Sequence, residues 1–383
     1  MKIVHVYKDY HPPVRGGIEQ TIQRMARWQV AAGHQVTVLV SASGSRQGSI
    51  ETIDGVRIVR VAEWARALSS PICPAFPAAL AREQADVWHL HSPNPLGEAS
   101  LQWVRPQGAL VFTYYCDLSS QRALLPAYRP LVHALFRRAD VLHAIAPQAL
   151  ERADSLVAPF RERFQIVPLG IDAGPMLELD RERPGARALR ERHGDPFLLF
   201  VGRLRHYKGL DHLLDAMRQV GVRLVIVGDG PMGPSLRAQS ARLGLGDRVH
   251  FAGPVSDAGL LDHLAAAGIG LLPSSTEAEA FGLAMVEFMA AGLPVVSTEL
   301  GTGTSYVNQH DQTGLIVPPR DPAALARAIQ QLVADADSRR RMGSAGRIRV
   351  RELFTTAAMM RGMDGLYAKA LESHAGRGRA RSR

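Results

Sequence analysis

Cysteine is almost missing from this chain: 383 residues contain only Cys73 and Cys116. The two have neither a pairing spacing nor a metal motif, which excludes a disulfide framework and leaves zinc without a ligand set. No apolar run approaches the roughly 18 residues of a membrane span. The opening Met1-Lys2, followed by Ile3-Val4-His5-Val6-Tyr7, is too short for the core of a signal peptide and reads as a first strand, so the expected location is cytoplasmic. Aromatics are only 6% of the residues and do not interleave with the basic ones, so nucleic acid is not an expected partner. Lysine is also scarce, at Lys2, Lys8, Lys208 and Lys369, which leaves pyridoxal phosphate no obvious Schiff-base position. The net charge of +9 is therefore carried almost entirely by arginine. Part of it lies in the terminal Arg377-Gly378-Arg379-Ala380-Arg381-Ser382-Arg383, and residues 374–383 are expected to be a disordered basic tail. The remainder reads as a solvated surface or as attraction to anionic lipid heads or a phosphorylated substrate.

What is present is alternation. Short apolar segments recur between helical patterns: residues 2–7, 35–40, 56–61, 87–91, 110–113, 141–144 and 164–168 in the first half, then 197–201, 223–227, 248–252, 269–272, 295–297 and 315–317 in the second. Such alternation predicts parallel sheets covered on both faces, and the length predicts two domains. Residues 18–32 carry Ile18, Ile22, Met25 and Gln29 at helical spacing and stop at Gly33. Residues 170–195 read as a linker with a short helix over 186–193. The expected domains are 1–175 and 176–355, with a helix over about 356–373. Ligands of open α/β domains lie outside the carboxyl ends of the strands, so loops are read by the strand they follow.

After the first strand, Gly16-Gly17-Ile18-Glu19 opens a helix. The glycines allow close approach and the helix start offers free N–H groups to an anion, or the pair is a plain turn. The third glycine and partner acid of a dinucleotide fingerprint are missing. In Val87-Trp88-His89-Leu90-His91, the expectation is that the histidines point to opposite faces, His89 structural and His91 toward a ligand. Asp117, beyond another strand end, accepts an acceptor hydroxyl or caps the next helix. In the second half, Gly202-Arg203 and Lys208-Gly209 follow a strand, and the two cations form a diphosphate clamp: a fork and a point charge. The Gly228-Asp229-Gly230 turn and Gly301-Thr302-Gly303 are further loops at strand ends. Asp335 and Asp337 resemble a metal pair but lie between helices, and no metal is expected.

The segment Glu279-Ala280-Phe281-Gly282-Leu283-Ala284-Met285-Val286-Glu287 is the most specific. Its context reads as strand, loop, then helix, with Glu279 at the helix entrance and Glu287 about two turns in. At about 1.5 Å per residue the carboxylates stand roughly 12 Å apart along the axis. Carboxylate pairs that hydrolyse one glycosidic bond need about 5–9.5 Å. The pair is therefore expected to hold two ends of one long ligand.

Taken together, Gly16-Gly17-Ile18-Glu19, the His91 strand end, Gly202-Arg203 with Lys208-Gly209, and the Glu279/Glu287 pair resemble the retaining glycosyltransferases of family 4. The resemblance covers nearly the whole chain. It implies the GT-B fold: two Rossmann-like doubly wound domains facing across a cleft that must close, with the C-terminal helix crossing back to the first. It implies a nucleotide-sugar co-substrate and no cofactor. Glu287 would bind the ribose, Glu279 the transferred sugar, and Arg203, Lys208 and the backbone at Phe281-Gly282 the diphosphate. Gly16 and Gly17 would add donor contacts from the first domain, and His91 would approach sugar or acceptor. Residues 113–117 and 301–308 look like the bacterial branch containing O-antigen mannosyltransferases, which favours GDP-mannose over UDP-sugars and a saccharide or lipid-linked saccharide acceptor. Around Arg122–Arg138, arginines alternate with leucines as in an amphipathic core helix or a peripheral contact with the inner membrane. A sugar-nucleotide epimerase of the same fold, or a non-catalytic sugar-nucleotide-binding subunit, would share the pattern; consumption of donor without acceptor would mark the epimerase.

Overall fold

The computed structural model describes residues 1–14, 16–68, 70–116, 125–151 and 156–381, with side chains to Arg377. The chain divides into two compact units, residues 1–170 with 356–383, and residues 171–355.

The first unit contains β1 (Lys2–Val6), β2 (Gln35–Ser41), β3 (Ser49–Ile53), β4 (Val56–Val61), β5 (Ala65–Ala67), β6 (Ser70–Ile72), β7 (Val87–Ser92), β8 (Ala109–Tyr114), β9 (Val141–Ala144) and β10 (Phe164–Ile166). Eight of them form one sheet in the order β10-β9-β8-β7-β1-β2-β4-β3. It is parallel except for the β3–β4 hairpin. The sequence reading missed β3, whose Ser-Ile-Glu-Thr-Ile has little apolar character. Its signal was the turn: Asp54 and Gly55 both take positive φ, as a two-residue hairpin requires. Strand alternation sorts the rest. Val4, Val6, Leu39, Trp88, Leu90, Leu110 and Phe112 bury against Leu101, Val132 and Phe136 on one face. Val36, Val38, Val40 and Ile58 bury against Ile22 on the other. Ile22 belongs to the helix Gly17–Ala31, which starts one residue earlier than expected. The final helix, Thr356–Arg381, belongs to this first unit. It continues well past residue 373, where a disordered tail was expected to begin.

The second unit contains β11 (Leu198–Val201), β12 (Leu224–Val227), β13 (Val249–Gly253), β14 (Ile269–Leu272), β15 (Val295–Thr298) and β16 (Gly314–Val317). They form a wholly parallel sheet in the order β13-β12-β11-β14-β15-β16. The expected linker is partly helical, at Gly174–Leu177 and Pro184–His193. Among the described residues no helix is long and apolar enough to cross a membrane.

Both strand orders reverse once. The chain leaves β1 toward β2 and later returns to β7 on its other side; likewise β11 is flanked by β12 and β14. At such a reversal the two loops run to opposite faces of the sheet and leave a crevice at the carboxyl ends. Those two crevices receive the residues singled out above.

Candidate functional site

In the second unit the crevice is walled by the loop after β11 and the loop after β14. The loops are laced together: Ser275 N–H donates to Tyr207 O at 2.7 Å, and Gly209, at φ +66°, lies so close to Pro273 that a Cβ would sit 2.1 Å from its carbonyl oxygen. Only glycine fits there. The approach brings together the two most specific side chains of the sequence. Lys208 Nζ meets Glu279 Oε2 at 2.5 Å, both side chains about one-tenth exposed, and Ser274 Oγ donates to the same oxygen at 2.9 Å. Glu279 Oε1 makes no hydrogen bond among the described residues and is left to accept from a ligand. Burial works to lower the Lys208 pKa, but Glu279, Tyr207 and Glu287 together outweigh it and raise the value above that of an ordinary lysine. Thr302 Oγ1 fixes the loop by donating to Glu279 O at 2.8 Å.

Arg203 is exposed, and its guanidinium makes no hydrogen bond among the described residues. Among the described residues Arg203 is thus the unpaired cation of the two, and Lys208 the paired one. Of the two cations expected to form a diphosphate clamp, the fork is exposed and the point charge is buried and paired. The helix carrying Glu287 runs Leu283–Ala290, so Glu287 is one turn in, not two. Half of the interval from Glu279 is loop, and the 12 Å reckoned from continuous helical rise does not apply. Gly282 caps this helix at φ +79°, while the Phe281 ring turns into the core, edge-on to Phe354 at 5.8 Å. Phe281 therefore offers backbone, not ring, to a ligand. Asp335 caps the helix Ala336–Leu353 through Ser338 N–H at 2.9 Å, a structural role, as its position between helices implied.

In the first unit, Gly16 caps the helix Gly17–Ala31 in an extended conformation, and Gly17 is exposed. The Glu19 carboxylate folds back over the helix start; a Cβ on Gly16 would lie 2.1 Å from Glu19 Oε2. Burial, with Asp9 adding repulsion, raises the Glu19 pKa against the lowering effect of its own backbone N–H. Beside it, Arg66 bridges Asp9 (2.7 Å) and Glu63 (2.7 Å), an acidic–basic network at the strand ends that the sequence reading missed. Asp117 lies outside the described residues.

His89 and His91 do not point to opposite faces. Both lie within β7, and strand residues two apart share a face. They join His5 with ring centroids 5.1 and 5.2 Å from it. Three ring nitrogens here lie within 4.8 Å of one another, a grouping of metal-ligand type. Yet every ring nitrogen already has a protein partner, and one carbonyl fixes all the tautomers. Val167 O accepts only, so His143 Nε2 donates to it (2.8 Å) and Nδ1 accepts from Thr113 Oγ1 (2.8 Å). Thr113 has one proton, so it accepts from His89 Nε2 (2.6 Å). His89 Nδ1 then accepts from Tyr367 (2.8 Å), which accepts from Gln29 Nε2 (2.9 Å). Gln29 Oε1 accepts from His5 Nε2 (2.7 Å), His5 Nδ1 from His91 Nε2 (3.0 Å), and His91 Nδ1 from the Tyr115 hydroxyl (3.0 Å). All four histidines are neutral. Burial lowers the His5 and His143 pKa values to about 4, and lowers those of His89 and His91 well below the usual imidazole value. His91 is wholly buried, and the group at the end of the chain is Tyr115.

Residues 16–170 match the family described as "Glycosyl transferase 4-like domain", and residues 185–349 match "Glycosyl transferases group 1". The chain is 35% identical to the D-rhamnosyltransferase WbpZ of Pseudomonas aeruginosa, over 93% of this chain and 92% of that protein. It is 30% identical to the O-antigen chain mannosyltransferase C of Escherichia coli, over 97% of this chain and 100% of that one. Among solved structures it resembles a sucrose-phosphate synthase of Thermosynechococcus elongatus (TM-score 0.79, 24% identity, 97% and 99% of the chains). It also resembles Anabaena HepE in complex with UDP (TM-score 0.75, 21% identity, 96% and 100%). These likenesses give the fold, GT-B.

Proposed function

Because this chain belongs to the glycosyltransferases built from a 4-like and a group 1 domain, we propose that it transfers mannose from GDP-mannose to a saccharide or lipid-linked saccharide acceptor, with retention of configuration, in O-antigen-type polysaccharide synthesis. The observation that carries the donor reading is the Lys208–Glu279 pair at the strand-order reversal of the second sheet, with Arg203 uncommitted beside it. Membership of a transferase family sets aside the epimerase and the non-catalytic subunit.

Bond breaking at the sugar loads negative charge onto the leaving diphosphate. A site helps most where its positive groups are already in place before that charge develops. Lys208 is held by Glu279, which Ser274 fixes in turn, and the N–H groups at Gly282–Leu283 add the positive end of a helix. Arg203 closes on the diphosphate from outside. Glu279 Oε1 accepts hydroxyls of the sugar, and Glu287 those of the ribose. On the face the diphosphate leaves, its oxygen takes the acceptor's proton as the acceptor oxygen bonds to the anomeric carbon. Gly16 and Gly17 offer N–H groups once Glu19 is displaced from the helix start; Asp117 belongs to the acceptor side, while His91, wholly buried and engaged at both ring nitrogens, does not touch the ligand.

Similarity to a D-rhamnosyltransferase favours a second donor, an activated rhamnose. Incubation with GDP-mannose, UDP-glucose and an activated rhamnose, read as released nucleotide in the presence of a lipid-linked saccharide, tests the reading. Release from GDP-mannose alone supports it; turnover of the rhamnose donor only, or of none, refutes the mannose assignment.

A further inference from the structure

A second charged cavity lies in the first unit at the end of the sheet opposite its strand-order crevice. About 610 Å³ in volume, it opens where the helices Pro95–Val104 and Leu125–Arg138 end and β8 begins. Its lining includes Arg105, Arg137, Arg138 and Arg377 against a single carboxylate, Asp140. That carboxylate is already engaged: its side chain is 1% exposed, accepts from Leu110 N–H at 2.9 Å and pairs with Arg377.

Part of the arginine set is structural. Arg138 donates to the carbonyls of Leu101 and Pro106, which suits the negative ends of helices. Arg105 and Arg137 are different. Both are exposed, and neither has an acidic partner among the described residues. Arg105 donates only to Gln102 O, at 3.2 Å, and the Arg137 guanidinium stands over the Phe160 ring at 5.8 Å. Burial first, then the neighbouring Arg105, lower the pKa of Arg138; Asp140 acts against them and Arg377 with them. An excess of three positive charges around a concave wall attracts a polyanion that fits the wall, and a phosphate monoester, with about −1.5 to −2 charges and three acceptor oxygens, does so. Trp103, next to Gln102 of the lining, is 82% exposed. An exposed indole beside clustered arginines is the composition of a lipid–water interface.

We propose that this cavity is a phosphate-binding site, filled by phosphate carried on an anionic lipid headgroup or free in solution, with Arg105 and Arg137 as its uncommitted ligands. It stands apart from the donor reading, whose side chains lie in the second unit and whose first-unit glycines, Gly16 and Gly17, follow the carboxyl end of β1.

The test uses the full chain and an R105Q/R137Q variant, with both substituted side chains on the surface so that melting in chloride stays the same. Inorganic phosphate at matched ionic strength is expected to raise the melting temperature of the parent and not of the variant. The parent is expected to sediment with vesicles containing phosphatidylglycerol and not with pure phosphatidylcholine vesicles, and to be released by salt. Each arginine removed should weaken that partition about fivefold, the ~1 kcal/mol of one basic side chain at an anionic surface. A phosphate response without vesicle binding supports the site with a soluble source. Vesicle binding lost in the variant, and weakened by Trp103→Ala, supports the lipid source. No response to either probe, or equal responses of parent and variant, overturns the proposal.

Discussion

Lowering the pH from 7 to 5 should destabilise the first unit, because its buried histidines are neutral when folded and take up protons when unfolded. For His5 and His143, burial depresses the pKa from 6.5 to about 4. Between those values the unfolded chain binds more protons than the folded one, so stability rises with pH. The contribution is fully present above pH 6.5 and is lost as the pH falls toward 4. At about 1.36 kcal/mol per pH unit, each of the two costs about 2 kcal/mol between pH 7 and pH 5, about 4 kcal/mol together. His89 and His91, also lowered, act in the same direction. Against a typical 5–15 kcal/mol for a folded domain, that is a large fraction.

The assay is favoured by the tryptophans. Trp28, Trp64, Trp88 and Trp103 all lie in the first unit, so their fluorescence during urea unfolding follows that unit alone. The midpoint should fall steeply from pH 7 to 5 at constant slope. His143→Gln supplies an N–H for Val167 O and a carbonyl for Thr113 without titrating, and should remove about 2 kcal/mol of that pH dependence. A stability that stays flat from pH 7 to 5, or a His143→Gln protein with the parent's dependence, would refute the neutral chain.

Tyr367→Phe removes the hydroxyl that joins Gln29 to His89; two buried groups lose a partner, and thermal denaturation should show a loss of about 1–3 kcal/mol. Arg203→Ala should lower turnover about 10²–10³-fold with the fold intact, and normal turnover would remove Arg203 from the transition state. Lys208→Met strands the Glu279 carboxylate and should cost about 3–5 kcal/mol in urea unfolding, whereas adding Glu279→Gln should restore stability without restoring turnover. Gly209→Ala forces a side chain into φ +66° against Pro273 O and should destabilise the second unit by at least about 1–2 kcal/mol, read by calorimetry.

Much of the fold was legible because apolar periodicity is local. Strands β4, β9 and β14 lie where the pattern put them, and most others differ by a residue or two at an end. Hairpin strand β3 escaped because an edge strand with a solvated face has little apolar signal, although Asp54-Gly55 announced its turn. The shared face of His89 and His91 was also available: a period of two, applied to His5, His89, His91, Thr113 and His143, sets all five opposite Val4, Trp88, Leu90, Phe112 and Leu142. Misassigning that period hid the cluster.

The sequence by itself determined the two α/β units, the glycines needed for close approach, and the residue types of the proposed donor site, since each depends on neighbours a few positions away. Only the tertiary structure decided that Lys208 and Glu279 touch across 71 positions, because that contact follows from β11 and β14 being adjacent strands. It alone turned Phe281 inward, set Glu287 one turn into its helix, and joined Gln29 to Tyr367 across 338 positions. Strand order and helix docking are settled by which buried faces fit together over the whole unit, and no short window of sequence contains that information.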